Sequence, residues 1–191
     1  MKKYLIHPFL LSLFVIAISC ESNPDSKEVA EETNEEQFDD RDTKKDAEFA
    51  VDAAASGMFQ VQAGQLAVSN GMNPRVKELG QMIATDHEKL NVELKDMAAS
   101  KNITLPTALS DDKREIYNDL SGKTGNEFDE KFVDAMVNSH EKSLDRYEDI
   151  AENGNDQDVR NWASGKIPAL QAHLREFEAL KDQMKNNNTV N

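Results

Sequence analysis

The chain has 191 residues, with 36 acidic side chains against 22 basic ones, and a formal net charge of −14. A surface of that sign is repelled by phosphate backbones and anionic headgroups, which argues against nucleic acid as a partner. Cys20 is the single cysteine, which excludes an intrachain disulfide and a thiolate metal cluster.

Residues 1–19 read as a processing signal. Lys2 and Lys3 give a basic start, Tyr4 to Ser19 is mostly apolar, and the run closes on Ala17-Ile18-Ser19-Cys20. The apolar part is short for a bilayer span and Pro8 interrupts it, so a cleaved leader fits better than an anchor helix. Its end resembles a bacterial lipoprotein signal, in which small residues precede a cysteine that becomes lipidated. Ala17 stands where leucine is usual, and an ordinary secretory leader with a spare cysteine is the alternative. Cys20 is thus the candidate lipid attachment site, and the expected partner is a membrane, reached through that anchor. The expected location is the bacterial cell envelope, the outer membrane in preference to the inner. Losing Lys2 and Lys3 with the leader takes the formal charge to −16.

Residues 20–45 hold many acidic side chains and only Val29 and Phe38 as large apolar ones. They cannot bury enough surface to offset their ordering entropy and are expected to form a disordered tether. Residues 46–186 suffice for one domain with a core of its own. Helix one is expected from about Asp46 to Asn70, stopping at Asn70-Gly71. Helix two starts at Asn73-Pro74, cap then first-turn proline, and runs to about Lys101. A short helix follows from Ser110 to Leu120, with Asp111 and Asp112 in its first turn. Helix three spans the stretch from Asn126 to Asn153, and helix four that from Asp156 to Met184, where Pro168 should kink or divide it. Residues 187–191 are expected to fray as a disordered tail.

No stretch alternates like a strand, so the fold class is all-α, and four long helices of similar length favour a four-helix bundle. The link between helices two and three, part extended and part helical, could reach roughly 40 Å at about 3.3 and 1.5 Å per residue. A ferritin-like topology with one long, helix-containing crossover is therefore allowed, beside a simple up-down bundle with a helical excursion.

Each long helix carries one polar residue in the middle of an apolar stripe: Gln60, His87, His140 and His173. At 100° per residue, Val76, Ile83, Leu90 and Leu94 flank His87, while Val133, Met136, Leu144 and Tyr147 flank His140. Ala169, Leu170, Phe177 and Leu180 flank His173, and the stripe around Gln60 is made of small residues. All four lie near mid-helix, so their side chains should share one layer. A buried polar group without a partner costs about 1–3 kcal/mol, so these residues must be bonded to something. Imidazoles from facing helices suit zinc, copper, iron or nickel. The tentative ligand set is His87, His140 and His173 with Gln60 beside them. Glu176, one turn from His173, and Asn91, one turn from His87, are candidates to orient them. Asp86 points about 100° away from His87, toward solvent or a neighbouring helix.

These residues carry a family resemblance. Gly57-Met58-Phe59-Gln60, Gly64-Gln65-Leu66-Ala67, Asn73-Pro74-Arg75-Val76-Lys77 and Thr85-Asp86-His87 stand in order along the chain. Leu105-Pro106, Phe128-Asp129, His140 and the run Ile167-Pro168-Ala169-Leu170-Gln171-Ala172-His173-Leu174 continue the series. From about Asp46 to Met184 the chain resembles a bacterial domain of unknown function, ferritin-like in fold and often labelled a predicted outer membrane protein. The resemblance implies a helical bundle in the cell envelope and no settled activity. The family pattern has glutamate where Gln60 stands, and a neutral amide is a poorer ligand for a hard cation.

Catalysis finds little support. The positions three before the histidines are Ala84, Val137 and Leu170, so the Glu-x-x-His pairs of di-iron proteins are missing. No nucleophile elbow or glycine-rich phosphate loop appears. Two readings remain open: a lipid-anchored structural or interaction bundle with a hydrogen-bonded polar layer, and a bundle that binds a transition metal or small ligand through three histidines.

Overall fold

The computed structural model describes residues 24–189, and among them there are six α-helices and no strand. They are α1 (Ser26–Gln37), α2 (Arg41–Asn70), α3 (Pro74–Ser100), α4 (Asp111–Ser121), α5 (Gly125–Asn153) and α6 (Gln157–Thr189). The leader and Cys20 lie outside the described residues.

Local chemistry sets the helix ends. The Asp40 carboxylate accepts from the Thr43 N–H at the head of α2, and the Asn73 side chain accepts from the Arg75 N–H at the head of α3, where Pro74 needs no partner. α2 and α3 form one antiparallel hairpin, α5 and α6 another; α2 also packs on α5, and α3 more thinly on α6. Two buried carboxylates fix the directions. Asp129, near the start of α5, accepts from the Met72 and Asn73 N–H groups beyond the end of α2, at 3.0 and 2.7 Å. Asp46, near the start of α2, accepts from Asn155 and Asp156 beyond the end of α5, at 3.0 and 2.7 Å. Lys101, just past α3, reaches Asp156 and Asp158 at the head of α6. Each long helix is therefore antiparallel to both neighbours. The link from α3 to α5, with α4 inside it, runs the length of the molecule and is no local excursion.

Two apolar cores result. One holds Phe59, Leu79, Phe128, Phe132 and Phe177; the other holds Phe49, Leu94, Tyr147, Val159 and Leu170. On α3, α5 and α6 the buried polar residues His87, Ser139, His140 and His173 fall between the two cores in sequence, and on α2 the buried Gln60 follows Phe59 at the edge of the first. The small stripe of α2 lets α3 come close. A Cβ on Gly64 would stand 2.6 Å from the Gly80 carbonyl oxygen, and one on Gly80 would stand 2.5 Å from Ala67 Cβ.

Three expectations need correction. The segment expected to be a disordered tether contains α1, and α2 begins at Arg41, ahead of Asp46. The physical reason is polar. Asn34, 3% exposed, donates to the Thr104 carbonyl and accepts from the Thr104 N–H, at 2.9 and 2.8 Å. Ser26 Oγ accepts from the Thr107 and Ala108 N–H groups, and Gln37 donates to the Asn102 carbonyl. α1 thus satisfies the backbone of an extended link that has no strand to pair with, a gain that a count of apolar residues misses. Second, Pro168 does not divide the last helix, since α6 runs from Gln157 to Thr189 through it. Pro168 and Ser164, whose carbonyl loses its helical donor, are both exposed, so water can replace that bond. Third, α6 continues to Thr189, into the segment expected to be a disordered tail. Beyond Met184 there is no glycine or proline to stop it, and each added residue closes one more hydrogen bond.

Candidate metal centre

The three histidines come from three helices: His87 from α3, His140 from α5 and His173 from α6. Their rings form a nearly equilateral triangle, with centroids 5.5, 5.6 and 5.5 Å apart. One nitrogen from each can be chosen so that all three lie within 4.8 Å of one another. His140 is fully buried, and His87 and His173 are 2% and 8% exposed.

Hydrogen bonds fix the chemistry of two rings. His140 Nδ1 lies 2.8 Å from the Met136 carbonyl oxygen, which can only accept, so Nδ1 carries the proton and Nε2 a lone pair. His173 Nε2 lies 3.3 Å from Asp86 Oδ2, which leaves Nδ1 as the lone-pair nitrogen. His140 Nε2, His173 Nδ1 and both nitrogens of His87 are buried without a partner. Burial keeps all three rings neutral. It holds His87 well below the ordinary histidine value, helped by the neighbouring rings, and brings His140 down to about 4. His173 is also lowered by burial, with the Asp86 carboxylate pulling the other way. Three neutral, buried imidazoles with lone pairs free of any protein donor form the donor set a transition metal needs. Nitrogens at 2.0–2.1 Å from one ion stand roughly 3.4 Å apart, so the rings would have to close by about 1 Å.

A model of the domain of unknown function DUF4142 matches residues 27–180. The chain belongs to that family. The match takes in α1, which the resemblance read from the sequence leaves out. No curated protein matches the chain. Among solved structures, it is similar to a candidate secreted protein, DUF305, from Streptomyces coelicolor, at 15% identity and a TM-score of 0.62. That likeness covers 74% of this chain and 94% of the other, and it concerns the fold alone.

The remaining candidates of this DUF4142 chain divide. Gln60, 1% exposed, donates from Nε2 to Ser139 Oγ at 3.1 Å, so its amide is engaged with α5. Ser139 and Ser143 share hydrogen bonds with Ser56, closing a hydroxyl cluster between α2 and α5. Helical phase holds a signal for these serines, since Ser56 and Ser143 each lie one turn from Gln60 or His140. Glu176 does not orient His173: it is half exposed and paired with Arg75 on the surface. Its place is taken by Asp86, reaching across from the neighbouring helix. Asn91 lies against α2, where a Cβ on Gly57 would stand 2.0 Å from its Oδ1; that oxygen is buried and unpartnered. Four cavities at the surface have no histidine in their walls. The one of about 360 Å³ lies against Phe49, Ser56, Lys113, Ser143, Arg146 and Tyr147.

Proposed function

We propose that this protein binds a transition-metal ion through His87, His140 and His173 in the middle of its helical core. One observation carries the reading: four buried ring nitrogens without a partner, on three neutral imidazoles that face one another. A cluster kept for structure alone would hydrogen-bond to itself, as Gln60 and the serines do; these nitrogens do not. A bound ion would supply Lewis acidity at an enclosed site. The chain's own residues would hold it, with the Met136 carbonyl and Asp86 fixing two of the rings.

The setting belongs to the same reading. The four long helices with their crossover are a ferritin-like four-helix bundle, with α1 and α4 packed outside it. Cys20 carries a lipid that holds the domain on the envelope. α1 begins six residues after Cys20, so at about 3.5 Å per residue the lipid would keep the domain within roughly 20 Å of the bilayer.

The test is direct. The full-length chain, purified without chelator, should carry close to one equivalent of a first-row metal, and adding zinc, copper or nickel to stripped protein should raise its Tm. His140→Ala should abolish both effects. Less than a tenth of an equivalent, with no thermal shift from any of these metals, overturns the proposal. Separately, Cys20→Ser should release the protein from the membrane fraction; retention there would sink the lipid anchor.

A further inference from the structure

An ion needs a way in, and the four seams between the long helices differ. The α2–α3 seam is closed by backbone contact at Gly64 and Gly80 and by Asn91 lodged against Gly57. Between α5 and α6, Phe177 meets Phe132 edge-on and His140 at a tilt, with ring centroids 5.8 and 5.7 Å apart. The α2–α5 seam is tied by the chain of Gln60, Ser139, Ser56 and Ser143. The α3–α6 seam is different in kind. It is the thinnest of the four contacts and is spanned by charged rungs: Arg75 to Glu176, Asp86 to His173 and Glu93 to Lys166. Ion pairs between exposed side chains hold little energy and open cheaply.

The middle rung joins the surface to the interior. The Asp86 side chain is 43% exposed, while its Oδ2 lies 3.3 Å from Nε2 of His173, whose side chain is only 10% exposed. The other nitrogen of that ring is buried and unpartnered. Among the described residues, Asp86 is the one carboxylate hydrogen-bonded to the histidine cluster. Its other oxygen, Oδ1, is 3.5 Å from the Nζ of Lys89, an exposed cation that an arriving ion can displace.

We infer that Asp86 is the entry carboxylate of the three-histidine site, capturing a divalent cation at the α3–α6 seam and passing it inward past His173. This rests on the metal reading above. Asp86 attracts the hydrated ion at the surface, and rotation of the His173 ring opens the seam. The ion then reaches the lone pairs of His87 and His140. Once it is inside, Asp86 again accepts from His173 Nε2–H and holds Nδ1 toward the metal. Asp86 acts through charge and orientation, so it is a positioning residue and its mark should be kinetic.

The experiment follows Co(II) uptake by the full-length chain in stopped flow, using the visible absorption of the ion, at low and high salt. Asp86→Asn removes the charge and keeps an oxygen to accept from His173. It should slow association at least tenfold at low salt, flatten the salt dependence, and change dissociation less than threefold. Asp86→Glu should restore association to within threefold of wild type. Glu88→Gln, an equal charge change on the side of α3 that faces Gln65, should leave the rate unchanged. A wild type that takes up no Co(II) overturns the entry role, and one that also shows no thermal shift with zinc, copper or nickel overturns the metal reading with it. Uptake by the wild type with Asp86→Asn within threefold of it, or slowing matched by Glu88→Gln, overturns the entry role alone.

Discussion

At His140 the Nδ1 proton is committed to the Met136 carbonyl and the Nε2 lone pair is left in the core. Protonating that nitrogen would bury a charge, with the His173 ring opposing it as well, which is why the group titrates at about 4 instead of 6.5. The sign of the pH effect follows. Between those values the unfolded chain binds more protons than the folded one, so acid favours unfolding. Stability is at its full value above about pH 6.5 and is lost as pH falls toward about 4, by on the order of 3 kcal/mol for this one group. His87 and His173 are lowered too and add to the same slope. Urea midpoints of the metal-free protein should therefore hold steady from about pH 8 to 7 and fall through 6 and 5. His140→Leu should fall less steeply, by one proton's worth of slope, whatever its starting stability. A wild-type midpoint that stays level down to pH 5 would show that these rings are not held neutral. The placing of the three histidines is legible in the sequence, because a mid-stripe residue on each of three packed helices has nowhere to point but inward. The partner of His173 is not. Glu176 has the right spacing along α6, but the group that meets the ring comes from α3, and spacing within one helix says nothing about which neighbour lies opposite.

At the scale of elements, α3, α4 and α5 are legible almost to the residue because asparagine, proline, serine and glycine punctuate them. α1 is hidden because its worth lies in side chains that serve another segment's backbone, and that segment is nearly seventy residues away in sequence. The small stripe of α2 can be read as a place of close approach, though the sequence alone does not say to what. The structure gives it a partner, α3, and two glycines that can be compared. Gly64→Ala puts a methyl group 2.6 Å from the Gly80 carbonyl, which is backbone and cannot swing aside. Overpacking of this kind costs about 1–3 kcal/mol, partly offset by the helix preference for alanine. The expected result is a loss of about 1–2 kcal/mol and a Tm lower by about 2–8 °C. Gly165 on α6 has nothing within 4 Å of such a methyl. Gly165→Ala should instead stabilise by about 0.5–1 kcal/mol. Thermal melts of the two variants beside wild type check both signs, and a Gly64→Ala protein as stable as wild type would mean the helices part more easily than this contact suggests.

Across the whole molecule the two hairpins repeat one another. Asp46 stands 25 residues before Gly71, and Asp129 stands 25 before Gly154. The cap residues Asn73 and Asp156, and then Val76 and Val159, keep the same offset of 83. The repeat is hard to see in sequence because the matched side chains mostly differ. It becomes plain in the bonding, where each hairpin's aspartate closes the other hairpin's turn. The metal-binding candidates break the pattern. The position matching His140 is Gly57, whose space Asn91 fills, and those matching His87 and His173 are Leu170 and Leu90. The ends of the molecule are thus symmetric closures around an asymmetric middle, and stability should report this. Asp46→Asn and Asp129→Asn each keep the shape but lose the charge and one of two accepting oxygens, which should cost about 2–4 kcal/mol apiece. The two sites lie roughly 40 Å apart along α2 at 1.5 Å per residue, too far for direct interaction. In urea melts the double variant should lose the sum of the two single losses to within about 0.5 kcal/mol. A clear departure from that sum would mean that the hairpins sense one another through the histidine layer between the two cores, and that opening one end loosens the layer before the other end gives way.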